Sequence, residues 1–222
     1  MKIIARIRCD FPEKFAIPRQ SGILKELESR IEFEPEFQNA DYIRGIEEFS
    51  HLWLLWCFSE NLGKGSSPTV RPPRLGGNKR VGVFATRSPF RPNPIGLSSV
   101  ELIRVEKSEG KLSLVVKGAD LMDGTPIYDI KPYLPFSDSH PEAKSGFAGE
   151  HLSDALEVSC PEDLLSQIPK EKQKAFLEIL RQDPRPSYHN DPQRIYGFSF
   201  AGFQVRFQVE EDVAKVVSIE KL

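Results

Sequence analysis

His51-Leu52-Trp53-Leu54-Leu55-Trp56-Cys57-Phe58 is a near-continuous apolar run, closed by the polar Ser59-Glu60-Asn61. A run of that length between turn formers predicts a strand covered on both faces rather than a helix, and makes it the central strand of a sheet. Upstream, Ile3, Ala5, Ile7 and Cys9 alternate with polar residues, as in a half-buried strand. Residues 11–22 carry Pro12, Pro18 and Gly22 and read as an ordered loop, and Ile31 and Phe33 mark a short strand. Tyr42, Ile46 and Phe49 recur at helical spacing behind Asn39 and Asp41, which predicts a short capped helix with its stripe on the core.

Downstream, strands are predicted over residues 81–86, 96–105, 112–117 and 125–130, with Lys107-Ser108-Glu109-Gly110-Lys111 turning a hairpin. Short strands between Gly- and Pro-containing turns, with little helix, make the chain mainly β and favour an antiparallel closed or nearly closed β-barrel, which leaves few exposed edges. Composition changes after Phe136, where Ser137-Asp138-Ser139-His140-Pro141 reads as a connection. The expected division is a barrel over 1–137 and a smaller C-terminal α+β unit over 138–222. In the latter, helices begin at Pro161 and Pro169 and end at Asp183-Pro184-Arg185-Pro186, before a three-stranded meander over 195–200, 203–209 and 213–219.

The 222 residues are 39% hydrophobic, enough for a substantial core. Thirty Lys and Arg against 32 Asp and Glu give a net charge of -2, so attraction to a polyanion requires a local patch. Residues 2–8 alternate instead of forming a leader, and no apolar run is long enough to span a bilayer. The expectation is a cytoplasmic chain with no membrane role. Cys9, Cys57 and Cys160 form no C-x-x-C pair, and His51, His140, His151 and His189 show no ligand spacing, so neither a disulfide framework nor a metal is expected.

Chemistry concentrates between Thr69 and Ser98, where Arg71, Arg74, Lys79, Arg80, Arg87 and Arg91 lie among prolines and glycines. Rigid loops of this kind hold guanidinium groups ready for phosphates or a carboxylate; the same arginines also serve as caps on the carbonyls of their own loop. Gly76-Gly77 precedes a strand, and no Gly-rich turn opens a helix, so a nucleotide-like cofactor has no doubly wound site here and would sit in loops at a barrel rim.

The runs Arg71-Pro72-Pro73-Arg74-Leu75-Gly76-Gly77-Asn78 and Ala85-Thr86-Arg87-Ser88-Pro89-Phe90-Arg91-Pro92-Asn93-Pro94-Ile95-Gly96 resemble the TsaA-like β-barrel family. So do Asp123-Gly124-Thr125-Pro126 with Asp129-Ile130-Lys131-Pro132-Tyr133, Glu13-Lys14-Phe15-Ala16-Ile17-Pro18-Arg19-Gln20, Phe49-Ser50-His51-Leu52-Trp53, and Asp183-Pro184-Arg185-Pro186-Ser187-Tyr188. The resemblance spans nearly the whole chain. It implies a homodimeric methyltransferase that uses S-adenosylmethionine to methylate N6 of N6-threonylcarbamoyladenosine (t6A), beside the anticodon of threonine tRNA. It also implies a cofactor site at Arg19, Gln20, Phe58, Ser59, Arg87, Leu97, Asp123, Gly124, Thr125 and Pro126.

Those residue types suit the roles. Arg87 offers a planar fork for a carboxylate, Asp123 accepts from ribose hydroxyls or an amino group, and Gly124 lets backbone approach a ligand. An ordinary turn also explains Asp123-Gly124. In-line methyl transfer is served mainly by positioning. Lys131 would stabilise negative charge, Asp129 orient it or take a proton, and Tyr133 stack or hydrogen-bond, although a solvated strand end explains the three as well. Arg71, Arg74, Arg91, Arg185 and Tyr188 are the expected tRNA contacts. Two other readings fit the same residues: a catalytically silent barrel that binds RNA or a metabolite, and a methyltransferase with another acceptor.

Overall fold

A computed structural model of the chain describes residues 1–72, 79–108, 110–149, 155–185, 191 and 193–222. Six strands hydrogen-bond in a ring: β1 (Ala5–Arg8), β2 (Glu28–Phe33), β3 (His51–Cys57), β6 (Ile95–Ser108), β7 (Lys111–Lys117) and β8 (Pro126–Pro132), with β4 (Thr69–Val70) and β5 (Val81–Gly82) paired outside it. Around the ring the order is β1-β2-β7-β6-β3-β8, every pairing is antiparallel, and β8 returns to β1 through Ala5 opposite Ile127. Period-two alternation turns Ala5, Ile7, Ile31, Leu52, Leu54, Val100, Leu114, Val116 and Ile127 into one core.

β3 is not the strand covered on both faces. It alternates, with Leu52, Leu54 and Trp56 inward and Trp53 and Leu55 half-buried on the outside. The doubly covered strand is β7, buried throughout from Leu112 to Val116. The expected helix over 42–49 is two 3-10 turns, Ala40–Ile43 and Ile46–Glu48, because Gly45 between them takes a left-handed φ of 83°. Asn39 caps the first turn by accepting from the Asp41 N–H, but Tyr42 is 65% exposed and only Ile46 and Phe49 of its stripe pack on the core. The strand expected over 81–86 stops after Gly82 and turns into the 3-10 segment Val83–Ala85.

Past the short helix α1 (Pro135–Asp138), the C-terminal region contains β9 (Glu157–Ser159), α2 (Glu162–Leu165), α3 (Lys170–Arg181), β10 (Tyr196–Phe200), β11 (Phe203–Glu210) and β12 (Val213–Lys221). Pro161 and Pro169 stand one residue before their helices, as caps in extended conformation. The meander gains a fourth member, since β9 pairs in parallel with β12. Phe176 of α3 packs on Phe198 and Phe200, which leads a second core.

That core also takes in Phe11, Ala16, Leu24 and Leu27 from the loop between β1 and β2. Polar contacts hold the same loop: Lys172 pairs with Asp10 at 2.6 Å, the Ser199 N–H donates to Glu13 at 2.6 Å, and Arg19 donates to the Asp183 carbonyl at 3.0 Å. Among the described residues, no helix is long and apolar enough to cross a membrane.

Candidate active site

A cavity of about 780 Å³ opens where the 11–27 loop, the ends of β3 and β6 and the 86–94 loop meet. Its volume suits a nucleoside-sized ligand with part of a second one. Trp56 and Phe58 form an aromatic wall, edge to face with centroids 4.3 Å apart. Gly96 lies opposite Trp56 in the β3–β6 pairing, and the indole lies flat over it: a Cβ on residue 96 would stand 2.2 Å from Trp56 Cε2. Gly96→Ala is therefore expected to push the indole into the cavity and to destabilise the fold by about 1–3 kcal/mol, readable as a lowered urea midpoint at unchanged m-value.

The 86–94 loop is held by its own polar groups. Thr86 Oγ1 donates to the Val83 carbonyl at 2.8 Å, and Arg91 donates to the carbonyls of Thr86 at 3.0 Å and Ser88 at 3.4 Å. Pro89, Pro92 and Pro94 stiffen it further, and the Phe58 N–H donates to the Pro94 carbonyl at 2.8 Å. Arg87 projects from this frame and donates to Gln20 Oε1 at 2.5 Å, so a guanidinium and an amide from two loops meet on the cavity lining.

Seven of the expected cofactor residues line this one cavity: Arg19, Gln20, Phe58, Ser59, Arg87, Leu97 and Thr125. Asp123, Gly124 and Pro126 do not. The Asp123 carboxylate accepts from the Cys9 N–H at 3.0 Å and meets Arg8 at 3.7 Å, while the Asp123 and Gly124 N–H groups donate to Phe11 and Ile7. Gly124, at a φ of 75°, thus makes the turn that fastens β8 to β1, and Pro126 is buried at the start of β8.

Asp129 and Lys131 lie along the outer face of β8, and Tyr133 follows just past its end. Lys131 Nζ and Asp129 Oδ2 are 2.9 Å apart, the second Asp129 oxygen accepts from the Ile130 N–H, and Tyr133 packs against Trp53 at 5.4 Å between centroids. Pairing sets them beside the cavity mouth: Leu97, Leu55 and Asp129 form one cross-strand row, and Ser99, Trp53 and Lys131 the next. Two strand spacings put Asp129 about 10 Å from Leu97 on the same outward face.

The expected nucleic-acid residues are dispersed. Arg71 is exposed, and Arg91 lines the cavity but spends its guanidinium on its own loop. Arg185 is 13% exposed in a fork with Asp183, at 2.7 and 2.8 Å, which raises its pKa further. Arg74 and Tyr188 lie outside the described residues.

Two cavity groups, Asp120 and Trp56, and the buried Ser98 that links them are not marked by the motifs. Asp120 lines the floor, Ser98 Oγ donates to it at 2.5 Å, and Trp56 Nε1 donates to Ser98 Oγ at 2.9 Å. A charged residue inside the apolar run Val115-Val116-Lys117-Gly118-Ala119-Asp120-Leu121-Met122 was the available signal for the first. Burial pushes Asp120 up from the usual carboxylate range, against the Ser98 hydroxyl and the Arg87 charge, which pull it down. Nearby, a hydrogen bond with Cys57 pushes the Tyr128 phenol up to about 12, and burial does the same to the Cys9 thiol.

Comparison with known proteins agrees over the full length. The family model for the tRNA-methyltransferase O N-terminal domain matches residues 6–139, and that for the TrmO C-terminal domain matches residues 152–222. The tRNA (adenine(37)-N6)-methyltransferase of Escherichia coli K12 is 43% identical, with 98% of this chain and 96% of that protein covered. A Pseudomonas aeruginosa protein provisionally named an S-adenosylmethionine-dependent methyltransferase is 38% identical over 97% of this chain and 95% of its own length. The crystal structure of TrmO from Pseudomonas aeruginosa superposes with a TM-score of 0.74 at 32% identity, covering 98% of this chain and 96% of that one. Matched by both family models and by relatives covered nearly end to end, the chain belongs to the TrmO family of tRNA methyltransferases.

Proposed function

We propose that this protein transfers a methyl group from S-adenosylmethionine to N6 of t6A at position 37 of threonine tRNA. The observation that carries the reading is the cavity itself, with Arg87 and Gln20 meeting on its lining, an aromatic wall at Trp56 and Phe58, and the Asp129–Lys131 pair beside its mouth. These residues fit the cofactor: a planar guanidinium suits the methionyl carboxylate, and the rings suit the adenine and the cationic sulfur. When bound, the cofactor supplies an electrophilic methyl group on a sulfonium.

The chain's own part is positioning and charge. Methylation of N6 would exchange its N–H bond for an N–C bond, with the methyl group drawn from the bound sulfonium and the N6 proton released to the protein. The carbamoyl substituent makes that proton more acidic and the lone pair less available, so a group that stabilises the deprotonated base accelerates the step. Lys131 does this, or binds the threonyl carboxylate, while Asp129 orients Lys131 and takes the proton; Tyr133 offers a stacking face. Transfer of label from S-adenosylmethionine to unfractionated tRNA tests the reaction class. Label retained in tRNA supports it, and cofactor binding without transfer would favour a silent barrel or another acceptor.

In this reading the six-stranded ring is a closed barrel within 1–137, and 138–222 is an accessory unit seated on its 11–27 loop. The enzyme acts as a homodimer and works on tRNA in the cytoplasm. Trp53 and Leu55 are half-buried on the outer face of β3, Leu97 is 51% exposed beside them, and α1 presents Phe136 at 88% exposure. A second copy covering this face would remove that apolar surface from water and close the mouth beside Lys131. Light scattering at micromolar concentration is expected to give twice the chain mass; a monomer would remove the dimer from the account.

A further inference from the structure

Among the described residues the acids that line the cavity are Asp120 and Glu60, and of the two Glu60 is exposed. The Asp120 carboxylate is set by a relay that begins in the aromatic wall: Trp56 Nε1 donates to Ser98 Oγ, and Ser98 Oγ donates to Asp120 Oδ1. Gln20, the residue that meets Arg87, lines the same cavity. Arg87 lies close enough for its charge to act on Asp120. Two loops and the β6 strand thus converge to hold one anion and one cation on the same cavity.

Of the basic residues lining the cavity, Arg91 is spent on carbonyls of its own loop, Arg19 donates to carbonyls of Asp183 and Arg185, and Lys14 donates to Asn61 at 3.0 Å. Arg87, which donates to Gln20, and Asp120, which accepts from Ser98, line the same cavity as one cation and one anion, the complement of a zwitterion. The free amino-acid end of the cofactor is such a group, with a carboxylate and an ammonium on one carbon. We propose that Asp120 receives the α-ammonium of the methionyl end while Arg87 takes its carboxylate, so that the two side chains together select an intact α-amino acid.

The proposal rests on the cofactor reading above. Burial disfavours the Asp120 charge in the empty cavity, and an incoming ammonium would relieve that cost, which favours a cationic ligand group over a neutral one. Local sequence marks Asp120 only as a charge in a mostly apolar stretch; its partners lie in β3 and β6, far away in sequence.

The test is calorimetric titration of the full chain with S-adenosylhomocysteine and with its analogue lacking only the α-amino group. The wild type is expected to prefer the amino form by about tenfold, the scale of one charge-assisted hydrogen bond. In Asp120→Asn that preference should collapse to within about twofold, while the affinity for the des-amino analogue stays unchanged. Ser98→Ala keeps the carboxylate and loses its positioning donor, so a smaller loss confined to the amino form is expected, which keeps the test informative should Asp120→Asn unfold. A preference retained in Asp120→Asn, or an equal loss for both ligands, would overturn the assignment. Failure of the wild type to bind either ligand would remove the cofactor reading itself, a different outcome from failure of the Asp120 assignment.

Discussion

Arg87→Ala is expected to weaken S-adenosylmethionine binding by roughly a hundredfold, the loss of a bidentate charge-assisted contact to a carboxylate. The side chain is ready before the ligand arrives: its loop is stiffened by Pro89, Pro92 and Pro94, fastened by Arg91 and Thr86, and Arg87 already reaches Gln20. Little ordering cost is then left for binding, so the contact contributes nearly in full. Arg87 is exposed, and removing it should leave the unfolding midpoint within the range of ordinary surface changes, about half a kcal/mol. Arg87→Lys should recover only part of the affinity, since an ammonium cannot reproduce the planar fork. Calorimetry with the cofactor, beside a denaturant curve, separates lost binding from lost fold.

Lys131→Ala is expected to lower kcat by about 10²- to 10³-fold, the scale found for removing one group that stabilises developing charge. The cofactor dissociation constant should hardly move, because Lys131 lies one row and two strands from Leu97 at the cavity mouth. The pair with Asp129 keeps the ammonium pointed along the outer face of β8, and the Ile130 N–H fixes the carboxylate in turn. Single-turnover transfer with saturating cofactor reads the chemical step directly. An unaltered rate would make Lys131 a solvated lysine at a strand end, and a parallel loss of cofactor binding would point to a distorted barrel wall.

Most of the architecture was readable because its signal is local. Ala5 and Ile7, Leu52 and Leu54, and Tyr196, Phe198 and Phe200 alternate within their own strands, and burial follows that alternation. What escaped depends on partners far away in sequence. The apolar run of β3 read as doubly covered, yet burial on both faces belongs to β7, whose Ser113 is polar; which strand is covered is decided by what packs on the ring from outside. β9 is too short to show a period, and Gly45 broke a stripe that spacing alone made helical.

The site divides in the same way. The rigid Arg- and Pro-rich loop was visible as composition, and family motifs marked most of the residues that line the cavity. The motif marks Asp123, whose carboxylate accepts from the Cys9 N–H and meets Arg8. Asp120, three residues earlier, faces the cavity instead, and only the fold distinguishes the two.

The most direct test of the central claim uses purified protein, labelled S-adenosylmethionine and threonine tRNA prepared with and without the threonylcarbamoyl group, followed by nucleoside mass analysis. The account predicts label on N6 of t6A alone, with the unmodified adenosine tRNA left blank. Label on another nucleoside, equal label on both tRNAs, or no label despite cofactor binding would contradict it.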